Sequence, residues 1–489
     1  MKRSEYMFAE KSLKKSFVIY GIKTIFALIF PLLSFRIVAT SLGVEATGQI
    51  QFSQSIVGYF QLFASLGISS YAIREGAKVR DDEIKLGKLC SELIIINSIS
   101  VLISYSCFIT ALFCLDSLSK YKLLLMILGV DIIFLPLSLE WLYNILEEYT
   151  YITVRYSILQ VVAFILIIML VNGSEDKFLY TIILVLISAA SMLLNFFYSR
   201  KHVRLFKYKQ YEIKKHLKPI LTIFGASIAS SICLNLDTTM LGILADDRAV
   251  GLYAAASKLK KSIASIITTV LNVFLPRLSF YLTNRNKEQY DSLLAKVFNM
   301  VLAISIPIAV GLAMLSEESI YILSGSDFLE ASSVAKIQSI SILFSAVNSI
   351  LVWHILMPHK KEHIVLFSTV VSLLVTFFCN VWLIPIVGIY GAVFANIASE
   401  IFILVISMYA IKSVDLSMKR MFAYSYQYVL ASVCIIPICL FAQNTLKNTL
   451  GIVAISVLLS VATYSIVLLL MKNPYAQECY NLMKRRVKK

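Results

Sequence analysis

About fourteen apolar stretches, each near the roughly 20 residues that span about 30 Å of hydrocarbon, follow one another almost without a break. The first covers 16–40 and the last 449–472, and no polar segment between them is long enough to fold as a domain. Such a chain is nearly all membrane, so its chemistry takes place inside the bilayer. Transporters and channels are built this way, and less often enzymes that act on lipids. Only 15% of the residues are charged, where a soluble chain carries about 25%. The runs lack the alternation of a membrane barrel. They are therefore helices, which satisfy their own backbone groups in lipid.

The expected spans are 16–40, 48–73, 88–114, 121–144, 150–172, 177–199, 217–244, 249–276, 292–316, 331–357, 363–385, 387–411, 421–442 and 449–472. Lys and Arg fall almost entirely on one side of this arrangement, about 33 against about 5 on the other. The basic side holds the N-terminus, the loop from Arg74 to Lys88, the loop from Arg200 to Lys218, the loop from Arg277 to Lys287, and the tail from Lys484 to Lys489. Both termini are thus expected in the cytoplasm. The net charge of +16 has this source and does not call for nucleic acid. No CxxC pair occurs, and six of the eight cysteines sit in apolar segments, where thiols act as small hydrophobes. The charged start leads into a span too long for a cleaved signal peptide.

The basic loop divides the first twelve spans into two sets of six. Glu45-Ala46-Thr47-Gly48 opens a helix after the first span, and Arg248-Ala249-Val250-Gly251 opens one after the seventh. Aligning these glycines pairs Ser34 with Asp237 and Ser55 with Lys258. Parallel repeats of this kind are a transporter architecture; the plainer alternative is two unrelated helix starts that share a small-residue turn. The expected layout is a cytoplasmic N-terminus (1–15), a six-helix bundle (16–199), a basic linker (200–216), a second bundle (217–412), two extra helices (413–472) and a basic tail (473–489).

Several of these segments resemble the bacterial polysaccharide-repeat flippases of the Wzx type. The residues that carry the likeness are Ser41 to Gly48, Phe52-Ser53-Gln54-Ser55 and Leu66 to Glu75 in the first half. In the second half they are Leu236 to Gly242, Val250 to Ala255, Leu275-Pro276-Arg277 and Ile386 to Ala392. The superfamily is that of multidrug, oligosaccharidyl-lipid and polysaccharide exporters. The resemblance implies an all-α, polytopic fold: two six-helix bundles in a V around a central cavity, plus two C-terminal helices. It implies alternating access and the movement of undecaprenyl-diphosphate-linked oligosaccharides across the bacterial inner membrane, for O-antigen or capsule. Membrane lipids, and the polymerase and chain-length proteins of that pathway, are the implied partners. No catalysis is implied, and no cofactor beyond a coupling ion, H⁺ or Na⁺. The alternatives are a multidrug or small-molecule exporter, a flippase for the peptidoglycan precursor lipid, and, less consistent with the short outer loops, a membrane glycosyltransferase or ligase. No Walker A, GxGxxG or HExxH sequence points to nucleotide or zinc chemistry.

Ionisable residues inside the spans cost roughly 2.5–3.5 kcal/mol each on insertion scales, so each invites a functional explanation. A diphosphate cargo calls for basic ones. Lys23 and Arg36 in the first span, and Lys258 and Lys261 in the eighth, are the substrate-binding candidates. Lys258 and Lys261 are three apart and share a helix face; Lys260 points elsewhere. The first and eighth spans come from different halves, so these charges are expected to line one cavity. Asp237, Asp131 and Glu400 are the ion-coupling candidates, with Asp237 first because it lies in a resembling segment. Each has a plainer role open to it, as a counter-charge. Arg155 is expected to snorkel, His354 to bond a backbone carbonyl, and Pro31, Pro136, Pro307 and Pro437 to kink their helices. Tyr59, Phe60, Phe63 and Tyr71 are expected to pack, with sugar stacking as the alternative.

Overall fold

A computed structural model describes residues 13–414, 416 and 418–487 of the chain, without the side chains of 13–25, 28, 226, 227, 418, 419, 479, 482, 483 and 485–487. The described residues form helices and connecting turns. In chain order the α-helices are α1 Leu13–Ser65, α2 Ile68–Gly76, α3 Glu83–Cys114, α4 Lys122–Phe134, α5 Glu140–Ile145, α6 Tyr149–Leu170, α7 Lys177–Ser199, α8 Ile213–Leu244, α9 Asp247–Asn272 and α10 Leu275–Thr283. They continue with α11 Lys287–Met314, α12 Ser316–Ser324, α13 Ala331–Ser349, α14 Glu362–Val387, α15 Ile389–Ile411, α16 Met418–Phe422, α17 Ser425–Val433, α18 Ile435–Thr445, α19 Thr449–Leu470 and α20 Pro474–Val487.

Among the described residues, eleven helices are long and apolar enough to cross a membrane, or twelve if the bent α8 is one span. This differs from the fourteen expected, for local reasons. Spans 16–40 and 48–73 run together through α1, broken inside it at Gly43, whose φ of 78° is left-handed backbone that glycine adopts without a Cβ penalty, and the second of them continues past Gly67 into α2. The expected span 121–144 is interrupted: α4 stops at Phe134, Pro136 sits in a 3₁₀ turn, and α5 starts after Leu139. Proline removes a backbone donor there.

The chain separates into two compact units, 1–235 and 236–489, so the basic loop 200–216 and most of α8 belong to the first. In the first unit, Tyr71, Leu86, Cys90, Leu93, Trp141 and Ile220 form one buried cluster. Val38, Leu42, Ile50 and Ile183 belong to another. In the second, Phe298 and Val301 of α11 share a core with Ile342 and Ala346 of α13 and Tyr428 of α17. The 425–470 helices thus pack into this unit. Large apolar side chains stay exposed on many helices, as at Trp382, Leu458 and Leu470, which is what a lipid-facing surface requires.

Helix breaks fall at like distances before the two aligned glycines. Gly43 lies five residues before Gly48, and Asp246, the cap of α9, lies five before Gly251. The Asp246 carboxylate accepts from the Ala249 N–H at 2.7 Å, which satisfies an orphan donor of the new helix. The Gly388–Gly391 turn between α14 and α15 has an equally local cause. Gly388 takes φ 58°, and a Cβ on Gly391 would stand 2.6 Å from the Ile384 backbone nitrogen.

Candidate functional site

The second unit buries a polar cluster in the middle of its long helices. Asp237, near the end of α8, accepts from Tyr253 Oη of α9 at 2.7 Å, from Asn380 Nδ2 of α14 at 2.9 Å and from Asn396 Nδ2 of α15 at 3.3 Å. Asn396 then accepts from Lys260 Nζ of α9 at 2.5 Å. The charges of Glu400 and Asp237 both act on Lys260. Glu400, mid-way along α15, accepts from Ser345 Oγ at 2.6 Å and Asn348 Nδ2 at 2.8 Å, both on α13. Amides and hydroxyls thus hold Asp237 and Lys260 in one hydrogen-bonded group and Glu400 in a second, and the Glu400 charge reaches Lys260 through space.

Lys260 was given no role by the sequence. Helical spacing set it off the Lys258/Lys261 face, and the structure turns that other face onto the acidic cluster. Tyr253, Asn380 and Asn396 were also missed, because uncharged residues in apolar runs give no hydropathy signal. The oxygens of Asn380, Gln338 and Asn348 are buried without hydrogen-bond partners among the described residues. Buried polar atoms are paired as a rule, so the Asn380 oxygen stands out as an open acceptor on the amide that bonds Asp237. Hard monovalent ions take oxygen donors of this kind. No group of three or more His, Cys, Asp or Glu suited to a metal occurs among the described residues.

Lys258 and Lys261 lie on α9, the first part-buried and the second exposed. They are close enough for their like charges to act on each other, and Lys261 also feels Asp237. Arg36 is part-buried on α1. Lys23 lies on α1 too, but its side chain is outside the described residues. Asp131 of α4, in the first unit, accepts a side-chain hydrogen bond from Ser188 of α7, and its Oδ1 is buried without a partner among the described residues.

The first unit places its buried ions near helix ends. Arg155 is buried rather than snorkelling. It donates to Glu140 at 3.0 Å and to Asn195, whose amide in turn bonds the Ser138 carbonyl. Pairing inside the fold removes the need to reach the interface. A second group joins Tyr71 Oη to His216 Nδ1 at 2.7 Å and His216 Nε2 to Glu92 at 2.8 Å. Glu92 also accepts from the Glu212 N–H at 2.6 Å. The basic loop is thereby tied to α3, helped by Phe206 N–H on Ser91 Oγ and Lys88 on Glu212. Tyr71 is committed to this group, Phe60 packs edge-on against Phe108 and Phe63 against Phe224, so these three are packing residues. His354 bonds the Leu271 carbonyl, as expected. Cys90 and Cys439 are buried, but Cys107 and Cys114 are exposed on outward helix faces.

A family model described as polysaccharide biosynthesis protein matches residues 12–282, more than half of the chain. No curated protein matches the sequence. Among solved structures, the lipid II flippase MurJ in an inward closed conformation is similar over 92% of this chain and 98% of its own, with a TM-score of 0.74 at 17% identity. An inward-facing multidrug resistance MATE family transporter of the MOP superfamily covers 82% of this chain and 98% of its own, with a TM-score of 0.56 at 16% identity. A MOP superfamily transporter from Pyrococcus furiosus, distinguished by the reverse polarity of its binding pocket, gives 0.54 at 15% identity, over 82% and 96%. At such identities the likeness is one of fold. The all-α polytopic fold expected from the sequence is the one found.

Proposed function

The chain belongs to the polysaccharide biosynthesis protein family, and from that premise we propose that it moves undecaprenyl-diphosphate-linked oligosaccharide repeat units across the bacterial inner membrane, for O-antigen or capsule. The observation that carries this reading is the pair Lys258 and Lys261 on one face of a membrane-crossing helix. A cationic drug would call for the opposite charge at that depth. A diphosphate desolvated in the membrane needs such ammonium groups to offset its cost. The polyprenyl tail stays in lipid while only the headgroup crosses. Lys23 and Arg36 of α1 are proposed to act on the same headgroup. Asp237 is proposed as the coupling carboxylate, loaded by H⁺ or Na⁺, with Glu400 and Asp131 as secondary candidates. The Lys/Arg asymmetry supports cytoplasmic termini.

The test is export of surface polysaccharide by a cell that depends on this chain. Lys258→Ala is expected to abolish export at ordinary protein levels, and Lys258→Arg to keep part of it, because charge is retained while geometry changes. Normal export by Lys258→Ala combined with Lys261→Ala or Lys23→Ala rules out the site. Rescue of cells depleted of their peptidoglycan-precursor flippase, with no effect on surface polysaccharide, would replace the cargo.

A further inference from the structure

The transport reading leaves unused an apolar groove of about 610 Å³ in the first unit. Its walls are Phe60 and Phe63 of α1, Ile99 and Ile103 of α3, and Ile213 and Leu217 at the start of α8. The two hydroxyls in the lining are already committed, Ser100 Oγ to the Phe63 carbonyl at 2.8 Å and Ser104 Oγ to the Phe60 carbonyl at 2.7 Å. The groove therefore offers nothing to water. It is open to the surroundings, since Phe63, Ile99, Ile103 and Leu217 are all exposed.

Length and charge identify an occupant. Along α3 the groove extends from residue 96 to 107, about 16 Å at 1.5 Å per residue, close to one leaflet of a 30 Å core. It begins one turn beyond Glu92, the last charged residue of α3. The α8 wall is held in place by His216, which lies between Ile213 and Leu217 and is clasped by Tyr71 and Glu92. Lys214 and Lys218 come directly after the two groove residues. Both are exposed, and neither forms an ion pair among the described residues, whereas Lys215 beside them meets Glu212. One end of a leaflet-long apolar channel thus carries two uncompensated ammonium groups.

We propose that this groove binds an anionic phospholipid, one acyl chain lying between α1, α3 and α8 and the phosphate headgroup held by Lys214 and Lys218. A polyprenyl chain is far longer than one leaflet and makes a poorer match. Ordinary lipid packing would use the apolar walls without preferring a charge. The proposal does not depend on the transported cargo.

The experiment uses the full chain in nanodiscs. A tryptophan placed by Ile103→Trp, read as the difference from the parent protein, is quenched by brominated lipid that enters the groove. Brominated phosphatidylglycerol is expected to quench at a mole fraction about 25-fold lower than brominated phosphatidylcholine, about fivefold for each lysine near the headgroup. Lys214→Gln with Lys218→Gln should erase that preference and leave quenching by phosphatidylcholine unchanged. Cys107→Trp supplies a second reporter if the first variant folds poorly. Equal quenching by the two phospholipids overturns the proposal. So does relief of phosphatidylglycerol quenching by a small excess of polyprenyl phosphate, which would give the groove to the carrier lipid.

Discussion

The two units bury comparable numbers of ionisable groups and use them differently. In the first, Arg155–Glu140 and Tyr71–His216–Glu92 lie near the ends of their helices and tie loops to the bundle. In the second, Lys260 and Glu400 lie mid-way along their helices, Asp237 lies seven residues before the end of α8, and their hydrogen bonds tie spanning helices to one another. Ions at helix ends can be exchanged for water when the loop opens. Ions in mid-span have no such outlet, so they persist only if the fold supplies every partner. The difference is one of attachment: the first unit's charges hold loops to the bundle, and the second unit's charges hold spanning helices to one another, the arrangement on which the proposed coupling role of Asp237 rests.

The largest effect expected from this contrast is on Asp237. Asp237→Asn keeps the shape and the hydrogen-bond reach of the side chain but removes the charge. Export should fall by at least about tenfold, with normal accumulation of the protein, since a carboxylate kept at this cost inside a membrane is kept for its charge. Export close to that of the parent would place this cluster with the anchoring groups of the first unit.

Lys260 sharpens the same point. Lys260→Met leaves Asp237 and Glu400 without their shared cation, and melting of the detergent-solubilised protein should come earlier. The pair Asp237→Asn, Lys260→Met removes charge of both signs. It should recover about 1–3 kcal/mol of the stability lost by Lys260→Met alone, the usual coupling of neighbours in one network. Transport should stay lost in the pair. Recovery of both stability and transport would show that the carboxylate serves only to neutralise the lysine.

What the sequence made legible follows from what each signal can carry. Hydropathy marked the spans, because lipid demands apolar length whatever the helix packs against. It did not mark the break near Pro136, where the apolar run continues although the helix does not. Asp237 and Glu400 stood out as costly charges, but their partners did not. Asn380 and Asn396 approach Asp237 from 143 and 159 residues away. No local period reports such a meeting. Lys260 was left without a role for a related reason: spacing along α9 told which residues share a face, but not which helices each face met. Tyr71 and His216 are 145 residues apart, so the clasp on the basic loop was equally hidden.

In the first unit the matching test is Glu92→Ala. It leaves His216 Nε2 and the Glu212 N–H without their acceptor, at about 1–3 kcal/mol for each group that stays buried. Thermal unfolding should come earlier, and export should drop only in proportion to the amount of folded protein. A loss of export per folded molecule as deep as that of Asp237→Asn would abolish the distinction between the two units.

The smallest expected effect lies at the surface of the same clasp. Lys88 Nζ stands 2.9 Å from Glu212 and, by that hydrogen bond and its charge, holds the Glu212 carboxyl below the usual carboxylate range. A carboxyl depressed in the folded state binds its proton less readily than in the unfolded chain. The pair therefore adds stability in full above the ordinary carboxyl pKa of about 4.3, and loses it as pH falls below that value. Glu212 is exposed, so solvent screens the gain and keeps it slight. Glu212→Gln should lower the melting temperature marginally at neutral pH, and the two proteins should converge as the pH is taken down through the carboxyl range. The buried Glu92, which accepts directly from the Glu212 N–H, should show the deeper loss already at neutral pH. A larger penalty from Glu212→Gln than from Glu92→Ala would mean that the loop is held from its exposed side, and that the buried group is the passenger.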